Sequence, residues 1–114
     1  MMRAVVFFAV LAIAAAAFAG IEGTWEVAGT NAEGYTYEGT CEVSRNGDVY
    51  NVQWWIGEGV HYGVGFMMDE VFCVGWSDGG GFFGVALYTL KGNQANGVWA
   101  SYGDSEAKIE VWTR

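Results

Sequence analysis

Seven short clusters rich in Gly, Asn, Asp and Glu cut residues 23–113 into eight segments of strand length. They read AEG, RNGD, GEG, DE, DGGG, KGNQ and GDSE. Proline is absent, and no stretch after residue 20 keeps a helical apolar period for three turns. Between the clusters the chain is rich in Val, Trp, Tyr and Phe, the residues that suit a pleated, half-buried surface. Strands are therefore expected near 23–31, 35–44, 49–56, 60–68, 71–77, 82–91, 96–102 and 107–113. Connections this short make each pair of neighbours an antiparallel hairpin. A meander with no crossover cannot change sheets. The expected fold is all-β: an eight-stranded antiparallel up-and-down barrel, closed by strand 8 on strand 1 so that no edge is left open.

The sharpest turn signal is Asn46-Gly47, which suits a two-residue type I′ turn. Centred there, the hairpin sets Val43 opposite Tyr50, Cys41 opposite Val52, Gly39 opposite Trp54 and Tyr37 opposite Ile56. The alternate ladder holds Ser44, Glu42, Thr40 and Glu38 against Val49, Asn51, Gln53 and Trp55. One ladder is apolar and the other mostly polar, so one register sorts both strands. Trp54 is expected inside and Trp55 outside. In the first strand Trp25 and Val27 share the inner face, and Thr24, Glu26 and Ala28 the outer.

Strand 71–77 admits two readings. Large residues inside would bury Phe72, Val74 and Trp76 and put Cys73 outside, away from an inward Cys41. A regular register through GEG and DE does the opposite, and a single bulge converts one into the other. We take the large residues as inward, which leaves the two cysteines unpaired or bridged to other partners; the opposite facing leaves a Cys41–Cys73 disulfide open.

The chain starts with Arg3, an apolar run from Ala4 to about Ala17, and the small-residue site Ala17-Phe18-Ala19. This is the pattern of a secretory signal peptide cleaved after Ala19. A periplasmic or extracellular product is expected, one domain spanning 20–114, with no membrane association after cleavage. Thirteen acids then face only Arg45, Lys91, Lys108 and Arg114. A surface this acidic repels phosphate backbones, so nucleic acid is excluded as a partner.

The segment EGTWEV resembles the Gly-x-Trp opening of lipocalin-type and avidin-type barrels, and SEAKIEVW is similar to a late avidin strand. The order GTW, a Tyr-rich second strand, VYNVQW, GVGF, GVALY, GVW and a final Glu-x-Trp behind a signal peptide resembles a family of small exported bacterial proteins. Some of its members carry the label fibronectin-binding protein. The resemblance implies a barrel and export. It does not imply biotin, because the polar side chains that hold biotin's ureido ring have no counterparts here.

No nucleophile and base are placed together. His61, the one histidine, reads as a surface strand residue, and no serine sits in a nucleophile elbow. The Asp and Glu turns lack the alternating ligands of a calcium loop. No enzyme, cofactor or metal is therefore expected. The candidate ligand-binding residues are Trp25, Tyr37, Trp54, Trp99 and Glu110. Glu110 shares a face with Trp112, so it is buried if Trp112 is inward and solvated otherwise; buried, it takes a hydrogen bond from Trp99. The expected function is a binding module for a small apolar ligand inside the barrel. The alternative is a structural or protein-interaction domain working through an outer aromatic face. That face would be anchored by Trp55, with Phe72, Val74 and Trp76 added if they point outward, and its partner would be an extracellular protein or a second copy of the chain.

Overall fold

In the computed structural model, which describes residues 20–114, eight antiparallel strands follow one another round a closed barrel. They are β1 (Gly23–Thr30), β2 (Thr36–Asn46), β3 (Val49–Ile56), β4 (Gly59–Met68), β5 (Val71–Ser77), β6 (Phe83–Lys91), β7 (Gln94–Ser101) and β8 (Lys108–Thr113). β8 pairs with β1, from Glu26 opposite Thr113 to Gly29 opposite Glu110. The expected signal peptide, residues 1–19, lies outside the described residues.

Two turns differ from expectation, and both have consequences. The β2–β3 hairpin turns at Gly47-Asp48, so Asn46 pairs with Val49, Cys41 with Trp54 and Gly39 with Ile56. Gly47 has φ 67° and Asp48 is not in the positive-φ region, the pattern of a type II′ turn with glycine first. The register therefore moves by two residues. Two residues is one full pleat repeat, so every side chain keeps its expected face. Trp54 is buried and Trp55 is 39% exposed.

The β3–β4 turn is Gly57-Glu58 alone, and Gly59 pairs with Ile56. Counting GEG as three connecting residues inverts the facing of β4. With two, no bulge is needed: Gly63 pairs with Trp76 and Gly65 with Val74, and Phe72 and Val74 are buried. Cys41 is buried inside and Cys73 lies on the outer face, both free. The same step turns His61 inward, opposite Trp54, which corrects its reading as a surface residue.

The barrel is filled at one end. Trp112 packs in tilted and edge-to-face contacts against Trp25, Trp54, Phe72 and Tyr88, with centroids 4.2–6.3 Å away. Ile21 plugs this end and accepts the Trp25 indole N–H at 2.9 Å. Arg114 lies 3.8 Å over the Trp25 ring and donates to the carbonyls of Gly20 and Glu22.

Inward glycines make room for the rings. A Cβ on Gly97 would overlap the Tyr88 ring, and one on Gly63 would come within 2.9 Å of Trp54. Gly97→Ala is expected to cost ~1–3 kcal/mol, the usual range for overpacking. Gly75 is the control: it faces outward and its nearest neighbour would be 3.9 Å away. Gly75→Ala should leave the urea midpoint unchanged or raise it. Equal midpoints for the two variants would mean that Gly97 is not a packing position.

Candidate functional site

Glu110 stands in the middle of a cross-strand row that runs through five strands. Tyr37 on β2 is opposite Gly29 on β1, and Gly29 is opposite Glu110 on β8. On its other side Glu110 is opposite Gly97 on β7, which is opposite Tyr88 on β6. The absence of side chains at Gly29 and Gly97 lets both phenols lean over the backbone toward the carboxylate. Tyr37 donates to Oε1 at 2.6 Å and Tyr88 to Oε2 at 2.6 Å. The indoles of Trp54 and Trp112 donate to Oε2 at 3.1 and 2.8 Å.

This settles the facing of Glu110, which is 5% exposed. A buried carboxylate is costly unless its lone pairs are satisfied. Four donors, two of them indoles that can only donate, match an acceptor-only carboxylate. Burial, then the negative charge of Glu110, then the hydrogen bond to it keep the hydroxyls of Tyr37 and Tyr88 protonated far above the usual range. Burial and then Glu110 also push the Cys41 thiol well up.

Above Glu110 the barrel is hollow. A pocket of about 340 Å³ opens at the end away from Ile21, lined by Tyr37, Trp54, His61, Trp76, Tyr88, Trp99 and Glu110, with residues of the surrounding loops at its rim. Its wall carries a run of edge-to-face rings: His61 to Trp76 at 5.7 Å, Trp76 to Trp99 at 5.8 Å and Trp99 to Tyr37 at 6.5 Å. Such contacts hold large rings in one arrangement. Lys108 places its ammonium 4.6 Å over the Trp99 ring and is paired with Asp104.

Four of the five candidate residues, Tyr37, Trp54, Trp99 and Glu110, thus meet at one pocket. Trp25 does not line it. It is buried at the filled end against Trp112, where it packs the core. Trp99 is not the donor to Glu110: its Nε1 is buried and makes no hydrogen bond among the described residues. His61 Nδ1 is likewise buried without a partner. Tyr88, Trp76 and His61 were not among the candidates. Tyr88 alternates with Ala86 on β6, a small–large pattern on the inner face that points to it.

Outside, the two halves of the barrel differ. β1 to β3 present Thr24, Glu26, Glu38, Thr40, Glu42, Asn51 and Gln53 on the outer face. Across β4 to β8 an unbroken outward row joins Phe66, Cys73, Leu87, Val98 and Ile109, all exposed. Trp55 stands apart from this row: it is opposite Val60, and Tyr62 and Val64 separate it from Phe66 along the outward face of β4. Phe72, Val74 and Trp76 take no part in it, because they point inward.

No protein-family model matches the sequence, and no curated protein sequence does. Among solved structures the chain is similar to a redesigned β-barrel, mFAP1, bound to DFHBI, with TM-score 0.69 and 19% identity over 82% of this chain and 94% of that one. A second redesigned barrel, mFAP0, bound to DFHBI, gives TM-score 0.67 and 21% identity over 82% and 98%. The REP1-NXSQ fatty acid transporter gives TM-score 0.57 and 8% identity over 82% and 95%. At these identities the likeness is one of fold: a small closed antiparallel barrel.

Proposed function

We propose that the protein is an exported, non-enzymatic binding module that takes a small, largely apolar ligand into the open half of its barrel. The observation that carries this reading is a barrel filled at one end and hollow at the other, with aromatic walls and a fixed polar floor. Binding sites for small molecules are commonly concave, mostly apolar and set with a few placed polar groups. Eight strands are enough to hold one small ligand. The names of three similar barrels include a bound DFHBI or a fatty acid cargo, which fits the reading. Export is argued from the pattern of the first 19 residues and from the resemblance of short motifs to those of exported bacterial proteins.

Ligand binding to the native state must raise the melting temperature, by about 2.7 kcal/mol of stability at a hundred times Kd. A thermal-shift screen of small apolar compounds should give hits that also quench tryptophan fluorescence, since Trp54, Trp76 and Trp99 line the pocket. No shift for any compound at millimolar concentration counts against the reading. Export makes a separate prediction: intact mass of the secreted protein should correspond to a chain starting at Gly20. A mass retaining residues 1–19 would remove the localisation.

A second reading has one observation in its favour. The exposed apolar row across β4 to β8 suits self-association or an extracellular protein partner, with Trp55 linked to it along the outward face of β4 through Val60, Tyr62 and Val64.

A further inference from the structure

The charges around the pocket are of one sign. Glu33 and Asp78 stand at its rim and Glu110 at its floor. Among the described residues no lysine or arginine lines it, and His61 is its one other ionisable group besides the tyrosines. Lys108, whose ammonium lies over the Trp99 ring, does not line the pocket and is paired with Asp104. Asp78 is held ionised: its Oδ1 accepts the backbone N–H groups of Gly80 at 2.7 Å and Phe82 at 3.1 Å, which keep its carboxyl below the usual range. The hydrogen bonds named for Asp78 leave Oδ2 unused. At the floor, Glu110 Oε2 takes three donors and Oε1 one, so Oε1 has room for another.

The neutral walls have the matching chemistry. The faces of tryptophan and tyrosine rings are negative and attract cations lying within about 6 Å of the centroid. One such contact already exists at this wall, the Lys108 ammonium on Trp99. An anionic ligand would meet three carboxylates there, and a neutral one would leave their field unused. A cleft with walls of low polarity concentrates that field.

We infer that the ligand is a small organic cation, a protonated or quaternary amine on an apolar body, seated among Trp54, Trp76 and Trp99 with its charge toward Glu110. The inference rests on the pocket being a ligand site, and its test separates the two. Three probes of similar size are titrated into the purified protein by tryptophan fluorescence and calorimetry: benzyltrimethylammonium, its uncharged isostere neopentylbenzene, and phenylacetate. The cation should bind on the order of tenfold or more tighter than the isostere, the gain of one or two cation–π contacts. Phenylacetate should bind weakest. Asp78→Asn and Glu33→Gln, both at the rim, should weaken the cation several-fold and leave the isostere unchanged. Trp76→Leu replaces a half-buried ring, so it tests the wall without disturbing Glu110; it should weaken the cation about tenfold. Equal or tighter binding of neopentylbenzene or phenylacetate would overturn the cation assignment while the pocket reading stands. No binding of any of the three would overturn both.

Discussion

Glu110→Ala is expected to unfold the barrel or leave it barely stable. The carboxylate accepts four hydrogen bonds, from Tyr37, Trp54, Tyr88 and Trp112. Hydrogen bonds to charged groups contribute ~1.5–3 kcal/mol each, though not additively within one network. Removing the shared acceptor strands two indole N–H groups that cannot rotate to another partner. A loss of about 3–5 kcal/mol is expected, against ~5–15 kcal/mol for a whole domain. Glu110→Gln should cost less than Glu110→Ala: its carbonyl oxygen can keep the three donors of Oε2, while its amide N–H₂ forces the Tyr37 hydroxyl to accept and the charge is lost. Tyr88→Phe removes one donor and leaves three, so it should cost the least. Urea midpoints for the three variants check the order. A wild-type midpoint for Glu110→Gln would mean that the hub does not hold a carboxylate.

The same hub sets a dependence on pH. Tyr37, Tyr88 and Cys41 have raised pKa values in the fold, first through burial and then through the charge of Glu110. In the unfolded chain the thiol releases its proton near pH ~8.5 and the phenols near ~10. Below those values both states hold the protons and the stabilisation is complete. Above them the unfolded chain releases protons that the folded one retains, so stability falls as pH rises. The urea midpoint should be flat from pH 7 to about 8.5 and decline from there to pH 11. Cys41→Ala should delay the onset. A midpoint that rises over this range would contradict the burial of all three.

Trp54→Ala should be severe and Trp55→Ala mild. Trp54 is 4% exposed, packs 6.2 Å from Trp112 and donates to Glu110. Truncating a buried indole costs ~3–5 kcal/mol, and here a hydrogen bond goes with it. Trp55 is 39% exposed, and its loss should shift the midpoint by no more than about 0.5–1 kcal/mol. Chemical denaturation separates the two, and equal damage would sink the inside–outside assignment. Sedimentation tests the outer face. If the apolar band is an interface, Trp55→Ala and, more strongly, Leu87→Glu in its centre should reduce association with the fold intact. Wild-type association in both variants removes that reading.

Much of this architecture is written locally. Gly, Asn and Asp clusters place all eight strands with their ends within two residues. Alternation sorts β1 to β3 into faces, and Trp112 carries Glu110 inward because residues two apart on a strand share a face. The limits are local too. Gly47 and Asn46 both accept positive φ, so nothing in RNGD decides whether glycine stands first or second in the turn. That choice moved the register by two. The extent of the GEG turn, two residues or three, decided the facing of His61 in the same way.

The strand order, the closure and the inner set of large residues on β1 to β3 are legible in the chain itself, because turns are local and pleats repeat every two residues. The site is not legible there. The row Tyr37, Gly29, Glu110, Gly97, Tyr88 depends on four separate registers at once, and each is set by its own turn and by closure. Whether the interior is filled or hollow is likewise a matter of where rings fall along the barrel axis. Trp25, Phe72 and Trp112 collect at one end, while Trp76, Trp99 and His61 stand round the other. Volume and hydrogen-bond partners are properties of residues far apart in the chain, and only closing the barrel brings them together.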